Sequence, residues 1–224
     1  MSRPNILKEH SKNPSNDQPK KQTEINHARS ASSAVKKSGS QSEPRQHKAL
    51  FLDRDGVINV DYGYVGHYEH FDYVDGIFEV VKMYASAGYK IVIVTNQSGI
   101  ARGRYTEADF HVLMDKVKAD FADNGVYEVA VYFCPHHVEG SEPEYAINCS
   151  CRKPKPGMLL QASQELSISL KDSVLIGDSW RDIEAAHAAG LKKSIYFTEN
   201  AMPADSTIEG VRKIQSLQQL TAVE

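Results

Sequence analysis

Apolar and polar positions fall into two regimes along the chain. From Lys48 onward, short runs rich in β-branched residues recur at 49–52, 91–94, 129–133, 174–176 and 194–197. They are close to continuously apolar rather than alternating, the pattern of strands covered on both faces of a parallel sheet. Between them lie segments of helical character, at about 77–87, 106–124, 158–166 and 180–189, with Gly88, Gly125 and Gly190 where helix ends fall. Strand and helix alternate without an internal repeat, which predicts an α/β fold built on a doubly wound, Rossmann-type parallel sheet.

Residues 1–48 are different material. They hold ten Lys/Arg against four Asp/Glu, a surplus of six, whereas the remainder holds sixteen against twenty-five, a deficit of nine. Apolar residues are scarce there and serines recur at Ser30, Ser32, Ser33, Ser38, Ser40 and Ser42. Such a segment cannot bury enough surface to offset its ordering entropy, so a disordered basic extension is expected over 1–48 and a single catalytic domain over 49–224. A basic arm could touch nucleic acid, an anionic lipid or a protein, but this one has neither aromatic interleaving nor an amphipathic period, and no nucleic-acid partner is expected. No run approaches the ~18 apolar residues of a membrane span, and the first thirty residues carry acidic and amide groups where a signal peptide has its apolar core. A soluble, unexported protein is expected. The three cysteines, Cys134, Cys149 and Cys151, suit metal ligation by reduced thiolates better than a disulfide framework, which favours the cytoplasm.

Ligands of doubly wound sheets collect at the carboxyl ends of the strands, and the polar residues of this chain fall at those points. The first strand runs into Asp53, Arg54, Asp55 and Gly56. Carboxylates at i and i+2 share a face, so one can contact phosphorus while the other waits near the leaving oxygen. Phosphate monoesters hydrolyse very slowly, and a covalent intermediate replaces one high barrier with two lower ones. Asp178 follows another apolar strand and brings a third carboxylate to the same edge, a set of hard oxygens suited to magnesium. The bland readings are an Asp-Gly turn for the first pair and a helix N-cap for Asp178. Thr95 and the turn 96–99 offer a hydroxyl and backbone amides for phosphate oxygens. Lys153 offers a mobile cation for the same oxygens, and the planar fork of Arg152 suits a second anionic or hydroxyl group of the substrate.

The loop after the third strand carries Cys134 and His136, then Cys149 and Cys151. These pairs make a four-ligand sulfur and nitrogen set for tetrahedral zinc with no open position, hence a structural ion. Zinc could contribute on the order of 10 kcal/mol of ordering free energy to a loop without a core of its own. His137 is an alternative ligand.

Taken together, residues 51–59, residues 94–103, the cysteine loop and Gly177-Asp178 resemble the D-glycero-D-manno-heptose 1,7-bisphosphate phosphatases, in the histidinol-phosphatase-like branch of the haloacid dehalogenase (HAD) superfamily. The resemblance covers about residues 48–200 and is most specific in the cysteine loop. It implies Asp53 as nucleophile and Asp55 as general acid, then base, with magnesium on Asp53, Asp178 and the Asp55 main-chain carbonyl. It implies Thr95 and Lys153 on the transferring phosphoryl group, Arg152 in substrate recognition, and Cys134, His136, Cys149 and Cys151 as zinc ligands. Asp61, Tyr62, Gly63 and Tyr64 are similar to the family's substrate-contacting loop, and Asn96, Gln97 and Ser98 with Thr95 to its second binding segment. A HAD-like fold with a zinc-binding loop, no large cap domain and a monomeric state follow as expectations, with a small-molecule sugar phosphate as partner and lipopolysaccharide precursor synthesis as setting. Where some members carry lysine after the last aspartate, this chain has Ser179 and Trp180. A histidinol-phosphate phosphatase would use the same catalytic residues, and a non-catalytic, zinc-stabilised binding protein is the reading from another class.

Overall fold

Runs that are apolar on both faces need cover on both, and the chain supplies it by crossing the sheet. In the computed structural model, which describes residues 46–204 and 206–224, six strands form one parallel sheet: β1 (Ala49–Leu52), β2 (Lys90–Asn96), β3 (Val129–Cys134), β4 (Val174–Gly177), β5 (Lys193–Phe197) and β6 (Val211–Ile214). Their order is β3-β2-β1-β4-β5-β6. The helices are α1 (Ile77–Ser86), the single-turn α2 (Ser98–Ala101), α3 (Glu107–Asp123), α4 (Gly157–Leu166) and α5 (Trp180–Ala189).

Period-two alternation sorts each strand between two cores. Leu50 and Leu52 of β1, with Ile91 and Ile93 of β2, pack against Val80 and Tyr84 of α1 and Phe110, Val117 and Phe121 of α3. Ala49 and Phe51, with Val92, Val94 and Leu175, pack against Met158 and Leu159 of α4 and Ile183 and Ala186 of α5. All four residues of β1 and all four of β4 are buried, as expected for the centre of a doubly covered sheet.

The five expected strands and four expected helices are present, with ends displaced by at most two residues. β6 is additional. It pairs with β5 along the register Ser194↔Val211 to Phe197↔Ile214, at an edge where Arg212 is exposed. The backbone of His47 is also part of the folded unit, since its N–H donates to Ser167 O (2.8 Å) and its carbonyl accepts from Ser169 N (2.8 Å). The expected disorder of the preceding arm falls on residues 1–45, outside the described residues. The two longest connections from the carboxyl edge, residues 53–76 and 135–156, carry no strand or α-helix, so no cap domain is inserted there. No helix among the described residues is long and apolar enough to cross a membrane.

Candidate active site

The sheet reverses direction of growth between β1 and β4, which are hydrogen-bonded neighbours, and such a switch point opens a crevice at the carboxyl edge. Asp53 leaves β1 there, its N–H donating to Ile176 O of β4 at 3.0 Å. Asp178 leaves β4 directly beside it. Gly56 turns the chain back with φ of 84°, and the space its missing Cβ would take is filled by the Asp178 carboxylate. Glycine is needed at that position for both reasons, the left-handed backbone and the close approach. One turn into α5, Asp182 completes a capping box by accepting from Ser179 N (3.0 Å), which swings its carboxylate back to the same edge.

One oxygen from each of Asp53, Asp178 and Asp182 can be chosen so that all lie within 4.8 Å of one another. The expected acid set was Asp53, Asp55 and Asp178; the structure gathers Asp182 in place of the Asp55 carboxylate. Lys153 is threaded into this cluster, 2% exposed, with Nζ 3.0 Å from Asp53 Oδ1 and 2.7 Å from Asp182 Oδ1, and donating to Val94 O at 2.7 Å. Burial pushes Asp53 up to about 8, with the Lys153 charge opposing and the Asp182 and Asp178 charges adding. Burial and the Asp182 charge raise Asp178 to about 7. Burial acts against the charge on Lys153, yet Asp182 and Asp53 together carry it above its ordinary value. One ammonium among three crowded carboxylates leaves a deficit of positive charge, and a hard oxygen set of this kind fits magnesium.

The Asp55 side chain is drawn away by donors on its own loop and on the turn that follows β2. Arg54 Nη2 lies 2.6 and 2.8 Å from its two oxygens, Asn59 Nδ2 donates to Oδ1 at 3.1 Å, and Gln97 Nε2 donates to Oδ2 at 3.0 Å. Arg54 is wholly buried, its guanidinium 6.0 Å from the Phe71 ring centroid and 5.8 Å from that of Phe110, and it also donates to Val65 O at 2.6 Å. Thr95, at the end of β2, lies on the cavity wall with Asp53. Its neighbour Asn96 clamps the Lys153 peptide from both sides, donating to Lys153 O (3.1 Å) and accepting from Lys153 N (3.0 Å). The lysine is thus aimed by its backbone as well as by its ion pairs.

Above this floor lies a cavity of about 350 Å³. Asp53, Asp55, Thr95, Asn96 and Ser98 line it, together with Asp61, Gly63 and Tyr64 from the loop expected to meet substrate. Two residues expected among the contacts are placed elsewhere. Tyr62 points outward and donates to Asp72 Oδ2 at 2.8 Å, while Gln97 is 1% exposed beneath the wall. Arg152 and Arg181 line the cavity as well. Arg152 Nη1 donates to His136 O (3.3 Å) and Arg181 Nε to Ser179 Oγ (3.1 Å), and neither arginine forms a salt bridge among the described residues. Burial lowers Arg152, and the like charges of Arg181 and Arg102 add to that effect. Unpaired guanidinium groups facing a cavity favour an anion. Asp182 and Arg181 were not read from the sequence; the signal available was the Ser179–Asp182 capping-box spacing, which carries the first turn of α5 back over the site.

The four expected zinc ligands converge. Cys134 Sγ lies 3.4 Å from Cys149 Sγ and 3.1 Å from Cys151 Sγ, and His136 Nδ1 lies 3.7 Å from Cys134 Sγ and 3.4 Å from Cys151 Sγ. These separations are too long for disulfides and are near the edge of about 3.8 Å that four ligands 2.3 Å from a tetrahedral zinc would define. Burial acts to raise Cys149, but hydrogen bonds from Cys151, the Arg152 backbone, Cys134 and His136 bring it down to about 6, in the thiolate direction a metal requires. His137 takes no part: its ring faces Arg102 Nη2 at 3.3 Å and its Nδ1 accepts from Glu139 N at 3.1 Å. Arg152 and Lys153 follow Cys151 directly, so the metal loop sets where both cations stand.

Comparison with known proteins points the same way. A family profile described as HAD-hydrolase-like matches residues 150–220. A D-glycero-beta-D-manno-heptose-1,7-bisphosphate 7-phosphatase of Vibrio cholerae is 51% identical over 148 residues, 66% of this chain and 79% of that protein. The protein of the same name from Escherichia coli is 46% identical over 143 residues, 64% of this chain and 75% of its own length. The crystal structure of a D,D-heptose 1,7-bisphosphate phosphatase from B. bronchiseptica, complexed with magnesium and phosphate, superposes with a TM-score of 0.65 at 29% identity, covering 77% of this chain and 97% of that one.

Proposed function

This chain belongs to the family of D-glycero-β-D-manno-heptose-1,7-bisphosphate 7-phosphatases, and we propose that it hydrolyses the carbon-seven phosphomonoester of that sugar bisphosphate through an aspartyl-phosphate on Asp53. The observation that carries the reading is the meeting of Asp53, Asp178, Asp182 and Lys153 at the sheet's switch point, in a cavity also lined by Arg152 and Arg181, neither of which forms a salt bridge among the described residues. A bisphosphate needs two anion sites that differ in chemistry. One here has a nucleophile; the other has only cations.

In the first step an Asp53 oxygen bonds to phosphorus as the bond from phosphorus to the carbon-seven oxygen breaks, and Asp55 gives that oxygen a proton. In the second, water attacks the aspartyl-phosphate, Asp55 takes its proton, and phosphate departs with the Asp53 carboxylate restored. Thr95 donates its hydroxyl hydrogen to a phosphoryl oxygen, and Lys153 shares its ammonium between Asp53 and the same group. Magnesium, held by Asp53 and Asp178 with Asp182 beside them, would supply the positive charge that keeps these carboxylates ionised and offsets the phosphoryl charge. Arg152 and Arg181 hold the carbon-one phosphate, Arg181 standing in for the lysine that some members carry after the last aspartate. Zinc on Cys134, His136, Cys149 and Cys151 is structural and aims Arg152.

Phosphate release from a panel of sugar phosphates tests the proposal. The heptose bisphosphate should be turned over in a magnesium-dependent reaction that yields heptose 1-phosphate, and Asp53→Asn should abolish it. Full activity in Asp53→Asn would remove the covalent mechanism, and turnover of every panel member except the heptose bisphosphate would remove the substrate.

A further inference from the structure

We propose that Gln97, held by Tyr105, is a positioning residue that orients Asp55 and the Thr95 hydroxyl from beneath the cavity and does not itself contact substrate. The Gln97 side-chain amide is buried and its groups are committed: Nε2 donates to Asp55 Oδ2 (3.0 Å) and Thr95 Oγ1 (2.8 Å), and Oε1 accepts from Tyr105 OH (2.5 Å). Both N–H groups of the amide are therefore spent inside the protein. The opposite orientation would set Oε1 against the Asp55 carboxylate, two acceptors face to face, so the carboxylate selects the orientation and obliges Tyr105 to donate.

That orientation has a consequence at Thr95. Its oxygen accepts from Gln97, so its one hydrogen must point elsewhere, and Thr95 lies on the cavity wall with Asp53. A phosphoryl group carries only acceptors, and a threonine whose lone pair is already occupied presents it with a donor. Tyr105 is itself wedged in place. A Cβ added at Gly66 or at Gly99 would overlap its ring, so the tyrosine fills the seam between the loop that carries Asp61 and Tyr64 and the turn that carries Ser98. The inference rests on the proposed roles of Asp55 and Thr95, and it assigns a reason for glutamine at position 97.

The test compares Gln97→Met, which keeps volume and removes the donors, Gln97→Glu, which keeps shape and replaces donors with acceptors, and Tyr105→Phe. Zinc content and melting temperature are checked first. With the sugar bisphosphate, Gln97→Met should lose about 10–100-fold in kcat with KM changed by less than about threefold, somewhat less than deletion of a transition-state donor in direct contact costs. Gln97→Glu should lose more, since it faces Asp55 with a second carboxylate, and Tyr105→Phe should lose about 2–10-fold, since Asp55 still holds the amide. First-turnover release of nitrophenolate from p-nitrophenyl phosphate needs no proton donor, so it should fall less than sugar release in Gln97→Met. A rise in KM at retained kcat would make Gln97 a substrate contact, and unchanged kcat in Tyr105→Phe and both Gln97 variants would leave it a packing residue. Either result overturns the proposal. Wild-type protein that cleaves the aryl ester but not the sugar bisphosphate would sink the substrate assignment alone, and the split between kcat and KM would then be read on the aryl ester.

Discussion

Replacing Lys153 by methionine removes the one ammonium in the acid cluster while keeping side-chain length and most of its volume. The buried Asp182 at 2.7 Å loses its countercharge, the partly buried Asp53 at 3.0 Å loses its ammonium partner, and Val94 O loses a donor. Removing one member of a buried ion pair typically costs about 3–5 kcal/mol. For a folded unit of this size each kcal/mol lowers Tm by roughly 2–4 °C, so the fall should be roughly 6–20 °C in magnesium-free, zinc-loaded protein. The effect should also depend on pH with a definite sign. Asp53 and Asp178 are already raised, to about 8 and about 7, so the folded protein binds more protons than the unfolded chain and loses stability as pH rises through that window. Without Lys153, Asp53 moves up further and its window extends upward. The variant should therefore lose stability faster than the parent between pH 7 and pH 9, by on the order of 1 kcal/mol in all, given about 1.4 kcal/mol per proton per pH unit. Chemical denaturation at the two pH values reads this directly. A fall in Tm below about 2 °C at pH 7, or the same loss at both pH values, would refute the charge balance described for the cluster.

Two further outcomes follow from the same geometry. Magnesium must displace protons from Asp53 and Asp178, so its apparent affinity should climb as pH rises from 6 to 8, by up to about tenfold per unit for each proton displaced. Titration calorimetry would show it, and a flat profile would count against these carboxylates as ligands. Cys149→Ser should weaken zinc binding by at least the roughly 10–100-fold that outer-shell changes alone cause. Turnover should fall with it because Arg152 and Lys153 lose their anchor, and full zinc occupancy with full turnover would contradict that link.

The strands and helices were legible because doubly covered strands must be apolar and the intervening helices must present an apolar face, a constraint local enough to show in short runs. The same locality placed Asp53, Asp55 and Asp178 at strand ends and paired Cys134 and His136 with Cys149 and Cys151. β6 escaped because an edge strand with Arg212 and Lys213 at its centre lacks the continuous apolar signal of the buried strands. What only the tertiary structure decided is which way the polar side chains turn. Asp55 faces Arg54, Asn59 and Gln97 instead of the acid cluster, Asp182 enters that cluster from the first turn of α5, Gln97 lies under the wall, and the alternative ligand His137 is turned to Arg102 and Glu139. Each of these outcomes depends on a competition among donors and acceptors from separate segments. Spacing along the chain carries no information about that competition until the loops have crossed, because hydrogen bonds and ion pairs act only over a few ångströms and along particular directions.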